Sequence, residues 1–148
     1  MYASAGISTA IETCGACPWE ELAPLAAACD LILYDLKLID DAQHRRYTGV
    51  SNDRILDNAA RLAGRNVQIR VPLIPNVTDT EENLAGVFGF MKQAGLTDVA
   101  LLPHNAAAAA KYEWFDLPYE ITGEPQDPTR LAALLDLARE AGLDASLA

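Results

Sequence analysis

The segment Asp30–Lys37 (DLILYDLK) constrains this chain most, because apolar side chains fill consecutive positions where a surface strand would alternate and a surface helix would carry a polar stripe. Such a run is a strand covered on both faces, and strands of that kind belong to parallel sheets joined by helical crossovers. The rest of the chain agrees. Ile7–Thr13 and Val67–Ile74 are further strand-like runs, Asp98–Leu102 is a fourth, and Asp144–Leu147 is a weaker closing strand. Helical patterns alternate with them. One follows from Pro18 with Leu22, Leu25 and Ala26 on one face, a short one covers Asp41–Tyr47, and another opens at Asn52 or Asp53 and ends at Gly64. Thr78 with Glu81 three positions on reads as a capping box before Leu84, Val87, Phe88 and Met91, and Asp127–Pro128 opens a last helix carrying Leu131, Leu134, Leu135 and Ala138. The expected fold is α/β: a partial (β/α) barrel of about four parallel strands with crossover helices, forming one domain over residues 1–148. Met1–Gly6 reads as the tail of a helix ending at Gly6, so a preceding βα unit is expected upstream. Pro103–Gln126 reads as a long connection, with the alanine run Ala106–Ala110 inside it.

Composition excludes several functions. Eleven Lys and Arg are scattered among twenty-one Asp and Glu, a formal charge of −10, and a nucleic acid backbone needs clustered cations, so no nucleic acid is expected as a partner. No apolar run reaches the roughly 18–20 residues of a membrane span, so no membrane partner is expected either, and the expected compartment is cytoplasmic. Three cysteines, Cys14, Cys17 and Cys29, suit reduced thiols better than a disulfide framework.

In parallel α/β sheets, chemistry collects beyond the C-terminal ends of the strands. Those ends carry Glu12, Thr13 and Cys14 on the first strand and Asp35 and Lys37 on the second. The third carries Arg70 and runs into Pro75 and Asn76, and the fourth ends at His104 and Asn105. Carboxylates, cations, a hydroxyl and an imidazole on one rim suit a zwitterionic small ligand. Each residue also has a plain structural reading. Asp35 and Lys37, two apart on a strand, fit a simple ion pair, and Arg70 fits a partner to any carboxylate. Glu12 and Thr13 fit caps of the following turn, and His104 fits a satisfied surface histidine. His44, in Gln43-His44-Arg45-Arg46, reads as part of a solvated helix face or of a partner surface.

Cys14-Gly15-Ala16-Cys17 is a CxxC between a strand and a helix, the spacing of a thiol redox site. The flanks Thr13 and Pro18 and the long final connection argue for a structural role, and Cys29 supplies no second zinc pair. Thiol oxidoreduction stays as an alternative.

Four blocks taken together resemble the activating enzymes of glycyl radical enzymes, the group that includes the pyruvate formate-lyase activase. They are Ile7–Gly15 (ISTAIETCG), Leu33–Asp41 with Tyr47–Asn52 (LYDLKLIDD, YTGVSN), Arg70–Asn83 (RVPLIPNVTDTEEN), and Leu101–Asn105 with Lys111–Trp114 (LLPHN, KYEW). Their order and spacing cover essentially the whole chain. The resemblance implies the C-terminal portion of a (β/α)6 radical S-adenosylmethionine barrel. It also implies a [4Fe–4S] cluster bound by a CxxxCxxC that occurs nowhere in these residues and is expected only in a full-length protein, so that the portion alone would be inactive. Electron transfer from that cluster would yield a 5′-deoxyadenosyl radical that takes hydrogen from a glycine of a partner, the glycyl radical enzyme. By the same resemblance, Thr13, Asp35, Lys37, Arg70, His104 and Asn105 contact S-adenosylmethionine. Glu12, in place of the family's Asp, joins Thr13 and Asp35 around a monovalent cation. A non-catalytic module that binds the cofactor or the partner is the second reading. An open barrel leaves the Ile7–Thr13 edge bare or covered by another copy, so self-association through that edge is expected.

Overall fold

The computed structural model describes residues 6–105, 112–116, 118, 121 and 123–148. The proposed helix tail before Gly6, the alanine run Ala106–Ala110 and Lys111 of the KYEW block lie outside the described residues.

Five strands form one parallel sheet in chain order: β1 (Ala10–Thr13), β2 (Leu31–Asp35), β3 (Val67–Pro72), β4 (Asp98–Leu102) and β5 (Asp144–Leu147). The weak closing strand is therefore real and raises the expected four to five. Between the strands run α1 (Trp19–Ala28), α2 (Asp41–Thr48), α3 (Asp53–Arg61), α4 (Glu81–Ala94) and α5 (Pro128–Glu140). Strand order that follows chain order sends every crossover to the same side of the sheet, which is the topology of an opened barrel. Burial alternates accordingly. Ile32, Tyr34, Ile69, Val71, Val99 and Leu101 are fully covered and make the core with Leu22, Leu62, Leu84, Phe88, Met91 and Leu134 from the helices. Leu33, Asp35, Gln68, Arg70, Pro72 and Leu102 point to the other face and are only half-buried. The expectation that Asp30–Lys37 is covered on both faces is met on the helix side alone.

Several local expectations are corrected. The hydroxyl of Thr80 caps α4, accepting from the N–H of Asn83 at 3.2 Å. Thr78 sits two residues too early to cap. Its hydroxyl donates to the carbonyl of Pro72 and accepts from the N–H of Ile74 at 2.6 Å, closing the turn after β3. Leu25 faces solvent, so Leu22 and Ala26 alone carry the buried side of α1. His44, expected on a solvated face, is 3% exposed. Its Nδ1 lies 2.8 Å from the carbonyl oxygen of Val50 and 3.0 Å from the hydroxyl of Thr48, which fastens the end of α2 to the following loop.

The connections that carry the strand-end residues are held by buried side-chain amides. Asn83 donates to the carbonyls of Lys37 and Thr78, both at 2.9 Å, and accepts from the N–H of Ile39 at 2.9 Å. Asn52 donates to the carbonyls of Leu38 and Ile39 at 3.0 and 2.8 Å, and Asn58 to those of Gly15 and Cys17, both at 2.9 Å. Each amide takes up main-chain groups that would otherwise be buried without partners.

Candidate functional site

Strand register assembles the first part of the site. Asp35 is directly opposite Arg70 across the β2–β3 pair, and Glu12 is opposite Leu33 across β1–β2. Side chains alternate along a strand, so Glu12, Asp35 and Arg70 share the open face of the sheet. Arg70 reaches back across β2: its Nη1 is 2.8 Å from Oε2 of Glu12, and its Nε is 3.8 Å from Oδ1 of Asp35. Lys37, one residue beyond the bond from the N–H of Leu36 to the carbonyl of Arg70, folds its Nζ to 3.7 Å from Oδ2 of Asp35.

This cluster is electrically balanced but incompletely bonded. Asp35 Oδ1 and Arg70 Nε are buried atoms without a hydrogen-bond partner, and 3.8 Å is too long for a bond between them. Burial pushes the Asp35 carboxyl above its ordinary value, against the opposing pull of Lys37 and Arg70, while Glu12 adds to the rise. Those two atoms are closed off from solvent, so what the cluster offers a ligand is its more open charges, the ammonium of Lys37 and the carboxylate of Glu12, a pairing that suits a ligand carrying both an ammonium and a carboxylate. A mouth of carboxylate oxygens also suits a hard cation.

Thr13 is placed differently from its neighbours. It stands opposite Tyr34 on the helix side of the sheet, and its hydroxyl accepts from the N–H of Gly15 at 3.0 Å, so the side chain caps a turn and faces away from Glu12 and Asp35. That turn is tight. Gly15 has φ of +64°, and a Cβ on it would stand 1.9 Å from the Tyr34 hydroxyl oxygen, which itself donates to the carbonyl of Ile55 at 2.8 Å. Cys14 and Cys17 are free and half-buried, with Cys17 packed against the core.

His104 and Asn105 follow β4 at the same end of the sheet. The N–H of His104 donates to Oε1 of Gln126 at 3.2 Å. Gln126 and Asn83 are the residues that sequence reasoning passed over. Asn83 had a signal, being polar on the apolar side of α4 next to Leu84 and Val87; Gln126 had none in its composition or spacing. Beyond the ends of β2 and β3 opens a cleft of about 740 Å³ with Lys37, Ile74, Asn76, Tyr47 and Tyr112 in its walls. That is within the range of small-molecule sites. Among the described residues its charged lining is cationic, Lys37 and Arg46.

Solved structures share this fold. A domain of a pyruvate-formate lyase-activating enzyme from Bacteroides vulgatus superposes with a TM-score of 0.79 at 24% identity, over 99% of this chain and 84% of that one. A radical SAM methyltransferase from Sphaerobacter thermophilus gives 0.66 at 16% identity, over 97% of this chain and 42% of that one. The open parallel sheet is thus an α/β fold that these two structures share, consistent with a partial barrel. No family model matches the chain. Curated relatives include a trans-4-hydroxy-L-proline dehydratase activating enzyme from Clostridioides difficile, 41% identical over 81% of this chain and 41% of that protein. An isethionate sulfite-lyase activating enzyme from Nitratidesulfovibrio vulgaris is 34% identical over 87% and 44%, and a pyruvate formate-lyase 2-activating enzyme from Escherichia coli is 31% identical over 96% and 50%. The chain is a homologue of glycyl-radical-enzyme activating enzymes, and it spans half or less of the length of these relatives.

Proposed function

We propose that these residues form the C-terminal portion of the barrel of an activating enzyme for a glycyl radical enzyme, with the strand ends serving as part of its S-adenosylmethionine site. The observation that carries this reading is the Glu12–Arg70–Asp35–Lys37 cluster, two carboxylates and two cations gathered on the open face of the sheet at its C-terminal rim, a charge pattern that matches a zwitterionic aminoacyl group. On this reading Asp35, Lys37 and Arg70 bind the amino and carboxylate end. His104 and Asn105 border the cofactor from β4, beside the glycine loop of the partner. Glu12 and Asp35 hold a monovalent cation, to which Thr13, by the direction of its side chain, contributes through its main chain alone.

A [4Fe–4S] cluster with S-adenosylmethionine supplies a hydrogen-abstracting radical. The three cysteines here, Cys14, Cys17 and Cys29, do not form CxxxCxxC, so none of them is assigned as a cluster ligand on this reading. The part played by these residues is to orient the cofactor and keep its charged end paired in a half-buried site. Among the described residues no helix is long and apolar enough to cross a membrane, and a cytoplasmic setting is proposed with the rest. β1 pairs only with β2 among the described residues, so its free edge is where a second copy would add.

Calorimetric titration with S-adenosylmethionine tests the reading. Saturable binding that Lys37→Ala and Asp35→Asn each weaken supports it. Absence of binding, or binding indifferent to both changes, refutes it.

A further inference from the structure

The connection that leaves β4 comes back to the sheet clamped onto the turn after β3. Gly123 lies so close to that turn that a Cβ there would stand 2.5 Å from Cβ of Pro75 and 3.1 Å from Nδ2 of Asn76. Three residues on, the side-chain amide of Gln126 uses both its donors and its acceptor. Nε2 donates to the carbonyl of Leu73 at 3.1 Å and to Oδ2 of Asp79 at 2.7 Å, while Oε1 accepts from the N–H of His104 at 3.2 Å. The other oxygen of Asp79 accepts from the N–H of Asn76 at 2.7 Å, and Arg130 donates to the carbonyl of Asp79 at 3.2 Å. One side chain therefore ties the end of β4 to the end of β3 and, through Asp79, to the cleft wall at Asn76. Its orientation is forced: the N–H of His104 needs an acceptor, and the two oxygens opposite need donors. Glutamate cannot replace it, because a carboxylate would face the carboxylate of Asp79 and a carbonyl.

We propose that Gln126 is a positioning residue of the mouth: it fixes the main chain of His104 against the Asn76 wall of the cleft and so sets the affinity of the cleft for its ligand. Only the identity of that ligand rests on the S-adenosylmethionine reading.

The test uses two readouts on this chain, the amide resonance and hydrogen exchange of His104 by NMR, and S-adenosylmethionine affinity by calorimetry. Gln126→Leu and Gln126→Glu should each shift the His104 amide, speed its exchange and weaken binding about tenfold, the factor that corresponds to about 1.4 kcal/mol. Adding Asp79→Asn to Gln126→Glu should recover part of both readouts, because amide and carboxylate then exchange places and still bond each other, while the carbonyl of Leu73 stays without its donor. A purely destabilising pair of changes would compound instead. The proposal is overturned if the His104 amide is unmoved in both single variants, or if the double variant is no better than Gln126→Glu. Should Gln126→Glu unfold, Gln126→Leu gives the same reading without the added charge. If the unsubstituted chain binds no S-adenosylmethionine, the functional reading above fails, while the His104 amide and its recovery still decide the role of Gln126.

Discussion

Arg70 holds Glu12 at 2.8 Å from Nη1 yet leaves its Nε 3.8 Å from Asp35, so one guanidinium spans two carboxylates on different strands and bonds only one of them. Removing it strands the half-buried Asp35 with Lys37 as its remaining cation. Arg70→Met should therefore lower stability by about 2 kcal/mol, less than a fully buried pair would lose because Glu12 is largely solvated. Urea unfolding measures it, and an unchanged midpoint would count against the cluster.

Two aspartates give pH dependences of opposite sign. The Asp35 carboxyl is raised by burial, so between its ordinary value and its folded value the native chain keeps a proton that the unfolded chain has lost. Its contribution is fully present below the ordinary carboxylate value and is lost as pH rises through the raised one. Asp35→Asn should remove that downward slope from a plot of stability against pH, and sodium or potassium bound at Asp35 should lower its titration midpoint in carbon-detected NMR.

Asp41 runs the other way. Hydrogen bonds from the Ser51 hydroxyl, from Arg45 and from the N–H of Asn52 bring its carboxyl down to about 2. Its contribution is present above the ordinary value near 3.8 and disappears as pH falls toward about 2. Ser51→Ala should move that loss to higher pH, read from the side-chain carboxyl resonance of Asp41.

Asn83 carries two hydrogen bonds to the connection that presents Lys37 and a third to Thr78 in the turn after β3. Asn83→Ala leaves the N–H of Ile39 and the carbonyls of Lys37 and Thr78 without their partner, and should cost about 2–3 kcal/mol. Faster hydrogen exchange at Ile39 is the local signature.

Gly15 is fixed by its conformation and by its neighbour. Gly15→Ala adds a Cβ where Tyr34 already stands and retains a positive φ, a combined cost of about 3 kcal/mol. Tyr34→Phe should relieve little of it, since the ring carbon Cζ is itself 2.5 Å from that Cβ position. A double variant as stable as Tyr34→Phe alone would contradict the packing.

The sheet was legible in the sequence because an apolar run such as Leu31–Tyr34 has one way to bury its backbone, and helices with capped ends leave the strands between them defined. Bounds were less so. Lys37 and Ile74 lie past the strand ends because the hydrogen-bond ladder stops while the apolar pattern runs on. Glu12, Asp35 and Arg70 could be placed on one face from strand alternation, and the same rule turns the Thr13 side chain to the other, which grouping by strand end alone had missed. Gln126 and the buried side of His44 were invisible, since each depends on contacts between segments distant in the chain or on the path of a loop.

Two-dimensional NMR of the labelled chain during titration with S-adenosylmethionine tests the central claim most directly. Shifts are expected to concentrate at Glu12, Asp35, Lys37, Arg70 and His104, on the open face and its C-terminal rim. Shifts confined to the helical side of the sheet, or none at saturating ligand, would contradict it.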